Sequence, residues 1–274
     1  MAPTPVPTAA DSRRPTTDDA ARWGPRVLTL GGFAVVVDDV AVEVPTGLPL
    51  QALKLVIAQG GRLHAEALME RLWPDTGLAE GRKGIRNILS RLRRAGPVLL
   101  ERDGEAIRVA EGVWVDAFAF RALADQVLID PDPTAAVLGA RRALALYRGT
   151  FLPDDCYVDW TEVPRRQLRR RQVSMFDVLA ADARRRGAHL EAIQLLELAL
   201  EADPLDDVRY LELAELLLAT DRRGRAAELI DRSRAVLREH GLLPGAAWAR
   251  LQRELHQTRR AAGPALNRPM DETA

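Results

Sequence analysis

The chain has 274 residues, and its 47% content of hydrophobic residues is enough to bury a sizeable core. Its 39 Lys and Arg residues equal its 39 Asp and Glu residues, so any affinity for nucleic acid must come from local rather than net charge. The single cysteine, Cys156, excludes a disulfide framework, and no apolar run approaches the ~18 residues that span a membrane. We therefore expect a cytoplasmic protein that does not associate with membranes.

The two ends of the chain differ in composition from the rest. Residues 1–25 are rich in Pro, Thr, Ala and Asp and lack the basic start and apolar middle of a signal peptide. We predict that they form a disordered leader, and that residues 258–274 form a flexible tail by the same criterion.

Residues 26–112 show the element order of a winged helix-turn-helix domain. Glycines and an Asp pair separate β-branched runs, helical spacing follows, and Asp103-Gly104 predicts a closing hairpin between two apolar runs. In chain order we expect strands at 27–30, 33–37 and 40–44, helices at about 49–59, 65–72 and 79–95, and strands at 98–100 and 106–109. A small α+β domain without a DNA-binding role is the alternative.

Residues 113–257 are rich in Ala and Leu and show helical spacing. Several residues recur after 34 positions, which is the period of tetratricopeptide repeats, where each helix pair covers its neighbour's apolar face. A weaker copy begins near Leu123. The matched positions are Leu179 and Leu213, Ala180 and Ala214, Ala192 and Ala226, and Leu196 and Ile230. We therefore expect a mainly α protein, with an N-terminal winged helix-turn-helix (α+β) followed by an all-α tetratricopeptide-like domain. A generic helical bundle is the alternative for the second part.

The predicted helix at residues 82–94 carries six positive charges and no negative charge. Ile85, Ile88, Leu89 and Leu92 fall on one face, which leaves the other face to charged and polar groups. Solvated helices usually mix charges of both signs, because opposite charges four residues apart stabilise the helix. A helix without acids indicates a polyanionic partner, and we interpret it as a DNA recognition helix. A merely solvated face is the alternative.

The outward residues of this helix are expected to contact DNA in two ways. Central residues can reach base edges, because Asn hydrogen-bonds adenine and Arg hydrogen-bonds guanine in the major groove. Arginines beside them are expected to bind phosphates, which fixes register without reading sequence. The expected base contacts are Lys83, Asn87, Ser90 and Arg91, and the expected phosphate contacts are Arg86, Arg93 and Arg94.

Several short motifs resemble, in their order and spacing, those of the SARP-type regulators. The resemblance runs from about Val27 to Gln257. It is carried by residues 28–33, 61–63, 72–75, 85–86, 89–94, 115–118, 146–149 and 151–153, with Trp160, Arg165 and Arg166. It implies an OmpR-type winged helix followed by a bacterial transcriptional activator domain. It also implies binding to directly repeated promoter sites on double-stranded DNA, self-association there, and contact with RNA polymerase.

Three features depart from the family pattern. His64 stands where relatives often have Ser or Thr as a helix N-cap, and we expect this to weaken the second helix by ~1 kcal/mol. Gly84 lies inside the proposed recognition helix and is expected to cost another ~1 kcal/mol relative to Ala. Acids in the hairpin oppose a DNA contact by its two arginines. The acids are Glu101, Asp103 and Glu105, and the arginines are Arg102 and Arg108.

An enzyme and an interaction protein are the rival functions. Acids that could serve in acid–base catalysis cluster at residues 154–162, but such residues commonly form turns and caps. No histidines have metal-ligand spacing and no glycine loop suits phosphate, so we expect no catalytic residue, cofactor or metal. The other rival is a tetratricopeptide-like adaptor with a degenerate, non-DNA-binding winged helix. Its arginine-rich segment at residues 165–186 would bind an acidic protein surface. Solvated helix faces paired with nearby acids are the alternative for these arginines.

Overall fold

The computed structural model describes residues 24–241 and Trp248, which form two compact units. The first unit contains the described residues up to Leu123 together with Ala143–Leu168, and the second contains Ala124–Arg142 and the described residues from Arg169 onward. The predicted tail and nearly all of the predicted leader lie outside the described residues. The first unit therefore contains residues from both of the segments that the sequence analysis separated, 26–112 and 113–257.

The first unit begins with strands, continues with three helices and ends this part of the chain with a hairpin, which confirms the predicted winged helix. Its elements up to residue 115 are β1 Arg26–Leu28, β2 Ala34–Val37, β3 Val40–Val42, α1 Leu48–Ala58, β4 Arg62–His64, α2 Ala65–Leu72, α3 Leu78–Ala95, β5 Leu100–Asp103, β6 Ala106–Val109 and β7 Trp114–Val115. The sequence does not predict β4, because three residues are too few to show the alternation of a strand.

A four-stranded sheet has the order β3-β2-β1-β7, with β1 and β7 parallel and the other pairs antiparallel. Asp38 and Asp39 connect β2 to β3 with φ of 48° and 62°, as in the two-residue turns that match strand twist. β1 ends two residues earlier than expected. The reason is that the backbone N–H groups of Thr29 and Leu30 donate to a side chain rather than to a neighbouring strand.

The second sheet has the order β4-β6-β5 and is antiparallel throughout. Gly104 and Glu105 form the turn between the paired residues Asp103 and Ala106, and Gly104 adopts a φ of 61° that favours glycine. Helices α1, α2 and α3 contact one another, and α3 also contacts β5. This arrangement places the hairpin of β5 and β6 as the wing.

A buried carboxylate, that of Asp116, connects three segments of the first unit. Asp116 is 1% exposed and begins helix α4, Asp116–Ile129. Its Oδ1 accepts from the Thr29 hydroxyl at 2.6 Å and from the Ala117 N–H at 2.8 Å. Its Oδ2 accepts from the Leu30 N–H at 3.0 Å and from Arg148 Nη2 at 3.2 Å. The end of β1, the start of α4 and the segment around Arg148 therefore meet at one side chain.

Further contacts attach residues 147–165 to the winged helix. Lys54 of α1 is 8% exposed, and its Nζ donates to Asp155 Oδ2 at 2.8 Å. The Leu152 N–H donates to the Thr29 carbonyl at 2.8 Å. Within the segment itself, Arg165 donates to the carbonyls of Phe151 and Leu152. The winged helix thus shares its compact unit with a segment that lies more than thirty residues beyond it in the chain.

The second unit is built from helix pairs, which confirms the predicted helical repeat. The residues that recur after 34 positions are all buried, and Ala192 and Ala226 are 0% exposed. Small side chains at these places let neighbouring helices approach closely. The helices that follow α4 are α5 Pro133–Leu146, α6 Glu162–Arg185, α7 His189–Ala202, α8 Asp207–Ala219 and α9 Arg223–Glu239. Within the described ranges, no helix has the length and apolar character needed to cross a membrane.

Ion pairs connect successive helices of the second unit. Arg186 follows α6 and donates to Asp182 and to Glu191 of α7, each at 2.8 Å. Hydrogen bonds from Arg186, and then from Arg141 of α5, hold the pKa of Glu191 below its usual value. Arg209 of α8 donates to both carboxylate oxygens of Asp177 in α6, at 2.8 and 2.9 Å. These pairs fix α5, α6, α7 and α8 relative to one another.

Replacing Asp116 with Ala is expected to lower the free energy of unfolding by about 3 kcal/mol, because the N–H groups of Thr29, Leu30 and Ala117 lose a buried acceptor. Urea denaturation of the full chain measures this. Asp125→Ala is the matched control on α4, because Asp125 pairs with Arg171 at the surface. The control should cost less than about 1 kcal/mol. Equal losses for the two variants would contradict the importance of the buried carboxylate.

Candidate nucleic-acid interface

Helix α3 is held by one apolar face and exposes the other. Ile85, Ile88, Leu89 and Leu92 are each at most 7% exposed, as their spacing predicts. They face the winged-helix core, where α3 contacts α1, α2 and β5. The helix begins one residue earlier than expected, at Leu78, and ends at Ala95 as predicted.

The structure places the predicted site residues together on the exposed surface of α3. All of them are exposed except Ser90, which is half-buried. Their division into base and phosphate contacts stays a prediction. The residues are Lys83, Arg86, Asn87, Ser90, Arg91, Arg93 and Arg94.

The positive charges of α3 lack ion-pair partners among residues 24–241. None of Arg82, Lys83, Arg86, Arg91, Arg93 and Arg94 lies within 4.0 Å of a described carboxylate. Glu80 in the first turn and Arg93 and Arg94 in the last turn do interact favourably with the helix dipole. Lys83, Arg86 and Arg91 have neither this interaction with the dipole nor an acidic partner among the described residues, so their charges are available to a polyanion.

Glycines in α3 allow the helix to lie close to α2 and to Trp73. A Cβ added to Gly81 would be 2.5 Å from Met69 Sδ, and one added to Gly84 would be 2.7 Å from Trp73 Cη2. The sequence predicts only the helix-propensity cost of Gly84. Its packing against Trp73 is the physical reason for a glycine there, and sequence reasoning missed it.

His64 itself caps α2, which corrects the expectation that its presence removes a helix cap. Its Nδ1 accepts from the Glu66 N–H at 3.3 Å, in the position where a Ser or Thr oxygen would accept. The Nε2 of the same ring lies 3.4 Å from Glu105 Oε2 in the wing. A histidine therefore replaces the usual N-cap and also contacts the wing turn.

Each of the three acids of the wing contacts a basic side chain. Glu101 pairs with Arg108, Asp103 pairs with Arg62 at 3.0 Å, and Glu105 contacts His64. Arg108 is therefore engaged within the hairpin. Arg102 is exposed instead, and its Nε donates to the Gly104 carbonyl at 2.9 Å, which holds its guanidinium near the wing tip.

Several of the residues that the rival functions would use have structural partners. Asp155 pairs with Lys54. Six of the eight arginines between residues 165 and 186 bind acids or backbone carbonyls, namely Arg165, Arg166, Arg171, Arg184, Arg185 and Arg186. In the part of the chain that the structure describes, no group of three or more His, Cys, Asp or Glu residues is placed to hold a metal.

The fold is that of a winged-helix protein that continues into tetratricopeptide-like repeats. The family model described as the bacterial transcriptional activator domain matches residues 115–256, just over half of the chain. The protein belongs to this family of transcriptional activators, and the resemblance to SARP-type regulators is confirmed. The family is of a transcriptional-regulator type rather than an enzymatic one.

A solved structure with a similar fold is Mycobacterium tuberculosis EmbR in complex with a low-affinity phosphopeptide. The TM-score is 0.65 and the sequence identity is 21%, over 85% of this chain and 65% of the EmbR chain. At this identity the likeness concerns the fold alone, and this chain spans less than two thirds of the length of EmbR. No curated protein matches the sequence significantly.

His64→Ala is expected to lower the free energy of unfolding by about 1 kcal/mol, because the Glu66 N–H loses its acceptor at the start of α2. His64→Ser should preserve most of the stability, since its hydroxyl can accept the same hydrogen bond. Urea denaturation of both variants separates the cap from the wing contact. If Ser and Ala are equally destabilising, the cap is not the stabilising interaction.

Proposed function

We propose that the protein is a sequence-specific DNA-binding activator that inserts α3 into the major groove. The observation that carries this proposal is the exposed face of α3, whose cations have no acidic partner in the described residues while the opposite face is buried. Self-repulsion on such a face destabilises the helix. A row of phosphates would relieve that repulsion and release counterions, which favours binding.

The exposed residues suit two kinds of contact. Asn87 and Arg91 are one helical turn apart and carry the groups that recognise adenine and guanine, and Lys83 and Ser90 flank them. Arg86, Arg93 and Arg94 lie beside them and are proposed to bind phosphates. Among the wing residues, the exposed Arg102 is a better candidate than the paired Arg108 for a further contact with DNA.

The remaining parts of the proposal rest on membership of the family and on the resemblance to SARP-type regulators. We infer that residues 26–112 form the DNA-binding domain and that residues 113–257 form the activator domain. We infer that the activator domain contacts RNA polymerase and that two copies associate on directly repeated promoter sites. Action on DNA would place the protein in the cytoplasm.

The adaptor function is less well supported. It needs a free basic surface at residues 165–186, but most of the arginines there bind neighbouring acids or carbonyls. Salt dependence distinguishes the two functions. A protein that uses about 6 phosphate contacts should show a log–log slope of affinity against salt near −5. A flat dependence, or no DNA binding at all, would favour the adaptor.

Substitution of Asn87 and Arg91 tests the reading face of α3, which consists of the proposed base contacts Lys83, Asn87, Ser90 and Arg91. Asn87→Ala and Arg91→Ala should each weaken binding to the duplex that wild-type protein selects from a randomised pool by about 1–3 kcal/mol. Binding to random DNA should change little, because base contacts determine the sequence preference. Arg94→Ala is the matched control and should weaken binding to both duplexes alike. Fluorescence anisotropy at fixed salt measures both affinities. Equal losses on both duplexes for Asn87→Ala and Arg91→Ala would show that these residues bind phosphates.

The spacing of protected sites tests tandem binding. Each chain has one candidate reading helix, so two copies on direct repeats should protect half-sites about 10–11 base pairs apart, centre to centre. Footprinting of wild-type protein on the promoter next to its gene measures this. Lengthening the spacer by half a helical turn is the control and should weaken cooperative protection, because the two half-sites then face opposite sides of the duplex. Protection of a single isolated half-site would contradict the tandem arrangement.

A further inference from the structure

Trp73 and Gly84 form a contact that the proposed function does not itself require. Trp73 follows α2, and its N–H donates to the Met69 carbonyl at 2.7 Å, while Pro74 comes next in the chain. Its indole lies against the backbone of α3. A Cβ at Gly84 would be 2.7 Å from Cη2, 2.9 Å from Cζ2 and 3.1 Å from Cζ3, so three ring atoms meet the helix at this residue.

The contact at Gly84 is more constrained than the one at Gly81. A Cβ at Gly81 would meet Met69 Sδ at 2.5 Å, but a methionine side chain has three rotatable bonds and adapts to its surroundings. The half-buried indole of Trp73 is a single rigid plane. Because carbon atoms pack at about 3.5–4.0 Å, a methyl group at residue 84 requires a movement of about 1 Å by the indole or by α3.

We propose that the Trp73–Gly84 contact sets the position of α3 and thereby aims its reading face at DNA. The proposal rests on the function proposed for α3. Lys83 precedes Gly84 directly and Asn87 lies one turn further on, so both side chains move with the backbone at this contact. Binding geometries tolerate displacements of about 0.5 Å, less than the movement that a methyl group demands. Trp73 and Gly84 are positioning residues that do not touch DNA.

The test compares full-length variants on two duplexes. The first is the sequence that wild-type protein selects from a randomised pool, and the second has the same length and a scrambled sequence. Gly84→Ala should bind the selected duplex at least about tenfold more weakly, and the scrambled duplex within about twofold of wild type, because flexible arginines can still reach phosphates. Adding Trp73→Leu to Gly84→Ala should restore most of the lost affinity, since the smaller side chain makes room for the methyl group.

Gly224→Ala is the matched control. Gly224 lies in α9, and an added Cβ would meet nothing within 4 Å. This variant should bind both duplexes as wild type does. The proposal is overturned if Gly84→Ala binds the selected duplex normally, or if Trp73→Leu fails to improve the Gly84→Ala variant.

Thermal unfolding separates failure of this inference from failure of the proposed function. If wild-type protein selects no sequence, the proposed function is wrong, and the contact is then judged by stability. Gly84→Ala should lower the Tm in the wild-type background and raise it in the Trp73→Leu background, where only the higher helix propensity of Ala remains. Shifts of the same sign and size in both backgrounds would overturn the proposal. A Gly84→Ala chain that does not fold, and that Trp73→Leu does not rescue, would overturn it as well.

Discussion

The first unit depends on the hydrogen bonds that the buried carboxylate of Asp116 accepts. Burying a charged group is costly unless hydrogen bonds replace its water, and here backbone N–H groups, a hydroxyl and Arg148 supply them. The donors come from segments that are far apart in the chain, so β1 and the residues near 148 are ordered together with the start of α4. These segments and the four-stranded sheet that contains β1 belong to the same compact unit as α3. The candidate DNA-binding surface therefore has a base that includes residues from well beyond the winged helix.

Much of the fold follows from local patterns in the sequence. The apolar spacing of α3, the turn residues of the wing and the 34-residue recurrence each report an interaction between near neighbours or an exact repeat, and each is confirmed. The early end of β1 and the existence of β4 depend on partners more than forty residues away. Residue periodicity carries no information about such partners, which explains why these features were not predictable.

The candidate site likewise has features that the sequence predicts and features that only the structure shows. Exposure of six of the seven predicted residues on α3, all but the half-buried Ser90, follows from the position of its apolar stripe, so the sequence predicts their common surface. Charge counting cannot show which charges are paired. The wing acids and Arg108 appear in the sequence as competing charges, whereas the structure pairs them and leaves Arg102 exposed. His64 likewise departs from the usual residue type but performs the same capping interaction.

Helices α3 and α6 are both rich in arginine, but they differ in whether the arginines have partners within the protein. In α6 and the residues just after it, acids of the same helix, acids of neighbouring helices and backbone carbonyls together bind most of the arginines, so that segment is stabilised within the protein. In α3 the same residue type occurs without acidic partners in the described chain, although acids equal bases in number over the whole sequence. The chain has enough acids to pair these cations, yet within the described residues they have no acidic partner, and α3 is the helix that we propose for the major groove. Phosphates of a bound duplex would offset that repulsion, so local charge rather than net charge is what supports the proposed function.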